Sequence, residues 1–314
     1  MKFSEGSVIM NLTDQVKQLA KNNDIDYVGI APVSRFVNAP QGRKPTDFLP
    51  GAESVISMGV RVNFGPQLTQ RLALADKKLR HIAFSYRWFG YGVLNMYFMD
   101  RAAFLVTKLL EEKGELAVPI VASGVEDLRA VMGAFSNRHA AVAAGLGEIG
   151  WNGLCLTPDA GPRARFVSVI TTARLDPDPM YQGSKLCDPD KCKELGGGLP
   201  VCAKLCPLHL FSLKKSVKAV IGEREFNYAW MDHMTCGKTA GQGLHPKALG
   251  PDYMVIPKKV DYETSLKLRA MMPPEFVLET VTYGRGNFCG VCFLRCPVAA
   301  PRLVDDIMKE KEKV

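Results

Sequence analysis

The chain contains no apolar run long enough to cross a bilayer. Its first residues, Met1 to Gly6, form neither an apolar leader segment nor a twin-arginine pair. We therefore expect a cytoplasmic protein that has no membrane partner. Because nothing indicates export to an oxidising compartment, disulfides are a poor explanation for the nine cysteines.

A G-x-G-x-x-G fingerprint following a strand is also missing, so a dinucleotide-binding fold is poorly supported. Instead, the segment from Ala144 to Gly153 follows a predicted helix and contains four glycines within nine residues. Glycines at this density permit positive φ angles and let the backbone approach a flat or bulky ligand closely. A plain loop that ends the helix is the alternative interpretation.

Zinc sites favour paired C-x2-C knuckles, and the chain has only one, from Cys289 to Cys292. That pair begins a C-x2-C-x3-C-P motif, and an upstream segment repeats the C-x3-C-P ending typical of bacterial ferredoxins. Eight cysteines are candidate ligands: Cys187, Cys192, Cys202, Cys206, Cys236, Cys289, Cys292 and Cys296. They suffice for two [4Fe–4S] clusters, with a zinc site or ordinary buried thiols as the alternatives. Cys155 is left over and is predicted to be a small buried hydrophobic residue in a strand.

The two Cys-Pro endings predict a crossed arrangement, because the last cysteine of each ferredoxin motif ligates the other cluster. One predicted set is Cys187, Cys192, Cys202 and Cys296, and the other is Cys206, Cys236, Cys289 and Cys292. The upstream motif is looser than the ferredoxin motif, and its expanded loop contains the glycines 196–198. Glycines there would let the backbone curl around a cluster.

Helices and strands alternate up to about residue 180, which predicts an α+β protein with an α/β core. Strands are predicted at 27–31, 54–60, 118–122 and 166–172, and helices after Asn11, over 93–113 and from Ser136 to Ala144. From Cys187 onward, cysteines, glycines and prolines replace the long periodic segments. We therefore predict two domains, residues 1–180 and residues 181–314.

The chain has a formal net charge of +8. This charge suits an acidic partner or substrate, such as RNA or a negatively charged electron donor. A mildly basic surface without a specific partner explains the same number equally well.

Several segments resemble the central part of reductive dehalogenases and epoxyqueuosine reductases, which are related corrinoid and iron–sulfur enzymes. The segments are Asn137-Arg138-His139, the glycine-rich loop, Thr157-Pro158, Gly161-Pro162-Arg163 and Val169-Ile170-Thr171. The order of the cysteines matches as well, and both Leu49-Pro50-Gly51 and Pro273-Pro274-Glu275-Phe276 resemble stretches of the same enzymes. The resemblance extends from about residue 45 to residue 300.

The resemblance implies a nitroreductase-like core that holds cobalamin with its lower base detached, followed by a ferredoxin-like module with two [4Fe–4S] clusters. The corrinoid would be bound through loop and backbone contacts, and we expect the glycine-rich loop to supply them. The expected contacts are Gly145, Leu146, Gly147, Gly150, Asn152 and Gly153. Electrons would come from a low-potential donor such as a ferredoxin or a flavodoxin. A non-corrinoid electron carrier and a zinc-stabilised RNA-binding protein are the alternatives from other classes.

The resemblance also bears on the proton donor, because reductive cleavage consumes protons. Epoxyqueuosine reductases carry an aspartate in a V-D-x-A-P-x-x-E-R motif, but here Val131 stands at the aspartate and Asn137 at the glutamate. Reductive dehalogenases use a tyrosine with a basic neighbour, and Tyr86, Tyr91 and Tyr97 are candidates. We therefore predict a reductase of a small organic molecule, with a tRNA epoxyqueuosine reductase as the alternative and RNA binding not excluded.

Overall fold

The computed structural model describes residues 10–124, 133–233, 235–236 and 289–311. The described part combines helices with antiparallel strands, which confirms the predicted α+β class. The helices are α1 Leu12–Lys21, α2 Pro45–Phe48, α3 Phe64–Ala75, α4 Phe84–Arg87, α5 Asp100–Glu112, α6 Asn137–Ala143, α7 Pro189–Leu195, α8 Val201–Lys204, α9 Val291–Leu294 and α10 Arg302–Lys311. The strands are β1 Tyr27–Pro32, β2 Ser54–Arg61, β3 Ala117–Ile120, β4 Glu148–Ile149, β5 Cys155–Leu156, β6 Ala164–Thr171, β7 Phe211–Ile221 and β8 Arg224–Met231.

The core is a four-stranded sheet in the order β1-β2-β6-β3, with every neighbouring pair antiparallel. The four strands predicted from apolar and β-branched runs lie within two residues of these bounds. The two predicted helix starts are also confirmed. The side chain of Asn11 accepts a hydrogen bond from the amide of Asp14, and the side chain of Ser136 accepts one from the amide of His139.

Alternation along β2 and β6 divides the buried side chains between the two faces of the sheet. One face carries Met58 and Val169 against α1 and α5, and the other carries Val55 and Ile170 against α6. On the second face, Gly29 pairs with Ser57 and Ser57 with Ser168, which makes a row of small residues. The row lets α6 pack close to the sheet, because a Cβ at residue 29 would overlap the carbonyl oxygen of Ala144.

The helix predicted over 93–113 ends as expected, since Gly114 has a φ of 84° directly after the C-cap residue Lys113. It begins earlier than predicted, because helical backbone runs from α4 to α5 through two π-helical segments, Trp88–Gly92 and Leu94–Met99. Such wide turns interrupt the 3.6-residue period on which the prediction relied. Within the described ranges, no helix has the length and apolar character needed to traverse a bilayer.

The region after residue 181 differs most from the prediction, because β7 and β8 form a long hairpin. Only the two ends of β7, Phe211 and Ile221, are buried, and Lys215 interrupts the alternation of apolar residues along the strand. The hairpin packs Ile221 and Phe226 into the core beside α6, and Phe293 of α9 joins the core on the other face. The division at residue 180 stays a prediction.

Candidate cofactor site

Four cysteine side chains line one cavity of about 230 Å³. Cys192 lies in α7 and Cys202 in α8, while Cys187 precedes α7 and Cys296 follows α9. Segments that are distant in the sequence therefore meet here, and they supply the four cysteines of the first predicted set. Trp151 and Asn152 of the glycine-rich loop line the same cavity.

Backbone amides point at several of the sulfur atoms. The amide nitrogen of Trp151 lies 3.3 Å from the sulfur of Cys187, and that of Val201 lies 3.4 Å from the sulfur of Cys192. The amide of Leu210 lies 3.5 Å from the sulfur of Cys206, which belongs to the second predicted set. Hydrogen bonds of this kind stabilise thiolates and tune the reduction potential of an iron–sulfur cluster.

The second predicted set also lies together. Burial raises the pKa of Cys236 to about 11, and the neighbouring Cys289 and Cys206 add to the effect. Burial likewise raises the pKa of Cys292, which is further raised by Cys236 and Cys289. Each of the four thiols therefore has electrostatic neighbours within its own set. The division of the eight cysteines between two clusters stays a prediction that this proximity supports.

The donor chemistry fits a polynuclear metal group. Burial raises the pKa of Cys202 to about 12, and Cys296, Cys192 and Cys187 contribute in the same direction, so the closely placed thiols resist losing their protons. A cationic metal core would offset this repulsion, because thiolates are the form that binds metal. Among the described residues, no three His, Cys, Asp or Glu side chains are grouped so as to hold a single metal ion. The first set of thiols instead surrounds a cavity, as the ligands of a cluster do.

A buried arginine holds the loop that carries the last cysteine. The side chain of Arg163 is 1% exposed and donates hydrogen bonds to the carbonyl oxygens of Phe293 at 3.1 Å, Cys296 at 3.0 Å and Val298 at 2.5 Å. Burial lowers the pKa of Arg163, and the nearby Cys296 and Asp305 partly oppose this effect. A cation in this position complements the negative charge of a thiolate-ligated cluster. Arg163 belongs to a segment that carries the resemblance, but its contact with the cysteine loop was not predicted from the sequence.

The glycine-rich loop lies beside the cysteines, and much of the room that its glycines leave is filled by the chain itself. A Cβ at Gly145 would overlap the carbonyl oxygen of Pro179, and one at Gly147 would overlap that of Leu156. Gly153, with a φ of 73°, lies against the ring of Tyr228. The contact of this loop with a corrinoid stays a prediction.

The remaining loop residues connect the core to both cysteine sets. Asn152 donates a hydrogen bond to the carbonyl oxygen of Cys292 at 3.3 Å. Glu148 is buried, pairs with Arg224 and accepts a hydrogen bond from the amide of Leu186, the residue before Cys187. Leu146 packs on the core, and Gly150 contacts the side chain of Leu156.

The structure brings two of the three candidate tyrosines together with a cation. Tyr86 is 1% exposed, and burial raises its pKa to about 12 while Arg165 opposes that rise. The guanidinium of Arg165 lies 4.1 Å from the ring centroid of Tyr91, whose hydroxyl is 2.7 Å from the hydroxyl of Ser123. Tyr97 is 65% exposed and lies apart from this group, against Phe98. The basic neighbour, Arg165, was not identified from the sequence.

A second cationic group lies behind the glycine-rich loop. Arg138 donates a hydrogen bond to the carbonyl oxygen of Gly153 at 2.5 Å. Burial lowers the pKa of His139 to about 4, and Arg138 contributes in the same direction. Cys155 is buried in β5, as predicted, and burial raises its pKa to about 12. Val131 and the Pro273–Phe276 stretch lie outside the described residues.

Comparison with known proteins gives relatives of the predicted kind. The tetrachloroethene reductive dehalogenases of Dehalobacter restrictus (strain DSM 9455 / PER-K23) and Desulfitobacterium hafniense are each 36% identical to this chain over 106 residues. The resemblance to this enzyme superfamily is confirmed. The match covers 31% of this chain and 18% of the length of each dehalogenase. No protein-family profile matches the chain.

A solved structure shows a similar fold. The catabolic reductive dehalogenase NpRdhA matches with a TM-score of 0.50 and 15% identity over 96% of this chain and 36% of that one. An epoxyqueuosine reductase solved with a modified tRNA-Tyr stem loop has a TM-score of 0.48 and 16% identity over 92% of this chain and 80% of that one. The finer descriptions of the fold, a nitroreductase-like core and a ferredoxin-like two-cluster module, stay predictions.

Proposed function

We propose that this protein is an oxidoreductase, a cobalamin- and iron–sulfur-dependent reductase of the reductive dehalogenase type that acts on a small organic molecule. The observation that carries the proposal is the convergence of Cys187, Cys192, Cys202 and Cys296 on one cavity. The second set of cysteines lies beside it and close to the Tyr86–Arg165 pair. The named relatives are reductases rather than electron carriers, so the alternative of a bare carrier is not favoured.

Two [4Fe–4S] clusters and a corrinoid, when bound, would supply single low-potential electrons and the reductive step itself. The eight cysteines would hold the clusters. Amide groups at Trp151 and Val201 would stabilise the ligating sulfurs, and Arg163 would fix the loop that carries Cys296. These residues determine the position and potential of the clusters.

The proton that reductive cleavage requires would come from the tyrosine group. Tyr91 is the better donor, because its side chain is only half-buried whereas Tyr86 is enclosed by protein atoms. Arg165 lies over the ring of Tyr91 and would stabilise the phenolate that remains after the proton leaves. Tyr86 acts through Arg165 and is a positioning residue.

A tRNA epoxyqueuosine reductase is the second candidate, and the net charge of +8 favours it because tRNA is a polyanion. Asn137, however, replaces the glutamate of the motif. It donates a hydrogen bond to the carbonyl oxygen of Val121 at 3.0 Å and starts α6. An amide at this position donates hydrogen bonds but cannot act as a general acid, because it does not release a proton at neutral pH.

The test is anaerobic expression with cobalamin supplied, followed by iron and corrinoid analysis and turnover assays with a chemical reductant. We expect about eight irons and one corrinoid per chain, and reductive release of chloride from a chlorinated alkene or phenol. A protein that contains iron but takes up no corrinoid would contradict the proposed dependence on cobalamin. Efficient conversion of epoxyqueuosine-containing tRNA, without dehalogenation, would establish the second candidate instead.

A further inference from the structure

The outer surface of the β7–β8 hairpin presents two apolar side chains beside two lysines. We call this the hairpin patch and define it as Leu213, Lys214, Lys215 and Trp230. Leu213 is 62% exposed and Trp230 is 46% exposed, although both are large apolar residues. The ammonium of Lys215 lies 5.8 Å from the ring centroid of Trp230.

The backbone holds these lysines in an outward position. The register of the hairpin shifts between Phe211 and Ser216, so the intervening residues form a bulge. The hydroxyl of Ser212 accepts hydrogen bonds from the amides of Lys214 at 3.2 Å and Lys215 at 2.8 Å. A bulge redirects side chains away from the sheet, and here it directs two cations into solvent.

The inner side of the same hairpin covers the cysteines. The ring of Phe211 lies 5.7 Å from that of Trp151, and Met231 packs in the same cluster. This cluster also contains Cys202 and Ala203 together with Cys206 and Cys292. The hairpin that carries the patch therefore packs against cysteines of both sets.

The positive charge of the patch indicates which kind of partner it would bind. Strand β7 carries three lysines and no acidic residue. Lys218 pairs with Glu225 at 2.5 Å, whereas no ion pair within the described ranges involves Lys214 or Lys215. Two uncompensated cations beside exposed apolar surface suit a protein with an acidic face around its own redox group.

We propose that the hairpin patch docks an acidic, low-potential electron-carrier protein, which passes electrons one at a time to the clusters beneath. The proposal rests on the function proposed above. In each encounter the carrier loses one electron and is oxidised, a cluster gains it and is reduced, and no covalent bond changes. A nucleic acid would also suit lysines and an aromatic ring, but it would have no need of a surface directly over the cysteines.

The test measures reduction of the oxidised, cluster-loaded protein by a reduced acidic ferredoxin in anaerobic stopped-flow experiments at several salt concentrations. We expect the Lys214→Glu/Lys215→Glu variant to react at least ~10-fold more slowly at low salt, with a weaker salt dependence. The matched control combines Lys108→Glu in α5 with Lys113→Glu at its C-cap. Helix α5 packs on the other face of the sheet, so the control should react at the wild-type rate. The number of electrons taken up from excess dithionite should be the same in all three proteins.

A wild-type rate with ferredoxin in the Lys214→Glu/Lys215→Glu variant would overturn the proposal. If that variant takes up fewer electrons from excess dithionite, its cluster site is damaged. The rate of Lys214→Gln/Lys215→Gln with ferredoxin, compared with the same control, then decides the question. If the Lys214→Glu/Lys215→Glu variant is reduced by ferredoxin at the wild-type rate but no longer binds a tRNA stem loop, the patch is an RNA-binding surface instead. Absence of iron from the wild-type protein would refute the proposed function, and iron analysis detects that outcome separately.

Discussion

The amide nitrogen of Trp151 lies 3.3 Å from the sulfur of Cys187, so the glycine-rich loop of the core directly contacts the first cysteine set. The adjacent Asn152 reaches the carbonyl oxygen of Cys292, in the second set. The carbonyl oxygen of Trp151 accepts a hydrogen bond from the amide of Ala229 in β8. This loop therefore contacts the core, both cysteine sets and the hairpin. Substitutions in the loop should affect the clusters first.

The assignment of the cysteines predicts selective loss of iron. Cys202→Ala should reduce the iron content from about eight to about four per chain, because it removes one ligand from the cavity of the first set. Cys155→Ala is the matched control, since Cys155 is also buried but lies in β5. It should retain all the iron. Full iron content in Cys202→Ala or in Cys236→Ala would show that the assignment is wrong.

Local patterns made much of the core predictable from the sequence. The run from Ser54 to Val60 is rich in apolar and β-branched residues, and Asn11 and Ser136 have side chains suited to helix starts. The hairpin was missed because Lys215 stands where the alternating pattern of β7 would place an apolar residue. Its strand character depends on pairing with β8 and on tertiary packing, which a local pattern does not record.

The parts of the site that could not be predicted depend on contacts between distant segments. Arg163 reaches the carbonyl of Cys296 across 133 residues, and Arg165 meets Tyr91 only because β6 packs against the helical run. A single sequence contains no periodic signature for such pairs. The cysteine sets were accessible to prediction because ligand spacing follows a known motif.

The packing of the loop predicts that Gly147 is required for the fold. Gly147→Ala should lower the free energy of unfolding by about 1–3 kcal/mol, because the new methyl group would overlap the backbone of Leu156. Gly65→Ala, in α3, is the matched control. A Cβ there meets nothing within 4 Å, so the variant should be about 0.5–1 kcal/mol more stable. Chemical denaturation followed by circular dichroism measures both, and equal stabilities would contradict the packing.

His139 should make the stability depend on pH. Its pKa in the fold is about 4, against an ordinary 6.5, because burial and the nearby Arg138 disfavour the charged ring. Its contribution is therefore complete above pH 6.5 and is lost as the pH falls towards 4, with an upper limit of about 3 kcal/mol. In His139→Asn, which keeps a polar partner for Ser136, this part of the acid sensitivity should disappear.

Thermal unfolding between pH 4 and pH 7 checks the difference between His139→Asn and the wild type. His81→Asn serves as the control because His81 is exposed, and it should parallel the wild type throughout. Tyr228, whose ring lies 6.5 Å from that of His139, titrates far above this window, since burial raises its pKa. Parallel curves for His139→Asn and the wild type would show that the buried ring does not titrate in this range.

The tyrosine group predicts the largest effect on turnover. Tyr91→Phe should lower the rate of the reductive reaction by about 100-fold or more, because it removes the hydroxyl that we assign as the proton donor. Tyr86→Phe should have a smaller effect, since the Tyr86 side chain is enclosed and influences the reaction through Arg165. Cluster and corrinoid content should be unchanged in both variants.

Tyr97→Phe is the matched control, because it makes the same chemical change at an exposed position that lies apart from Arg165. Its rate should remain within about twofold of the wild type, as expected for a surface substitution. The solvent deuterium isotope effect separates proton donation from positioning. It should change in Tyr91→Phe, where another donor must replace the hydroxyl, and remain at the wild-type value in Tyr86→Phe. Wild-type turnover in Tyr91→Phe would exclude its hydroxyl as the acid, and a larger loss in Tyr86→Phe would transfer that role to Tyr86.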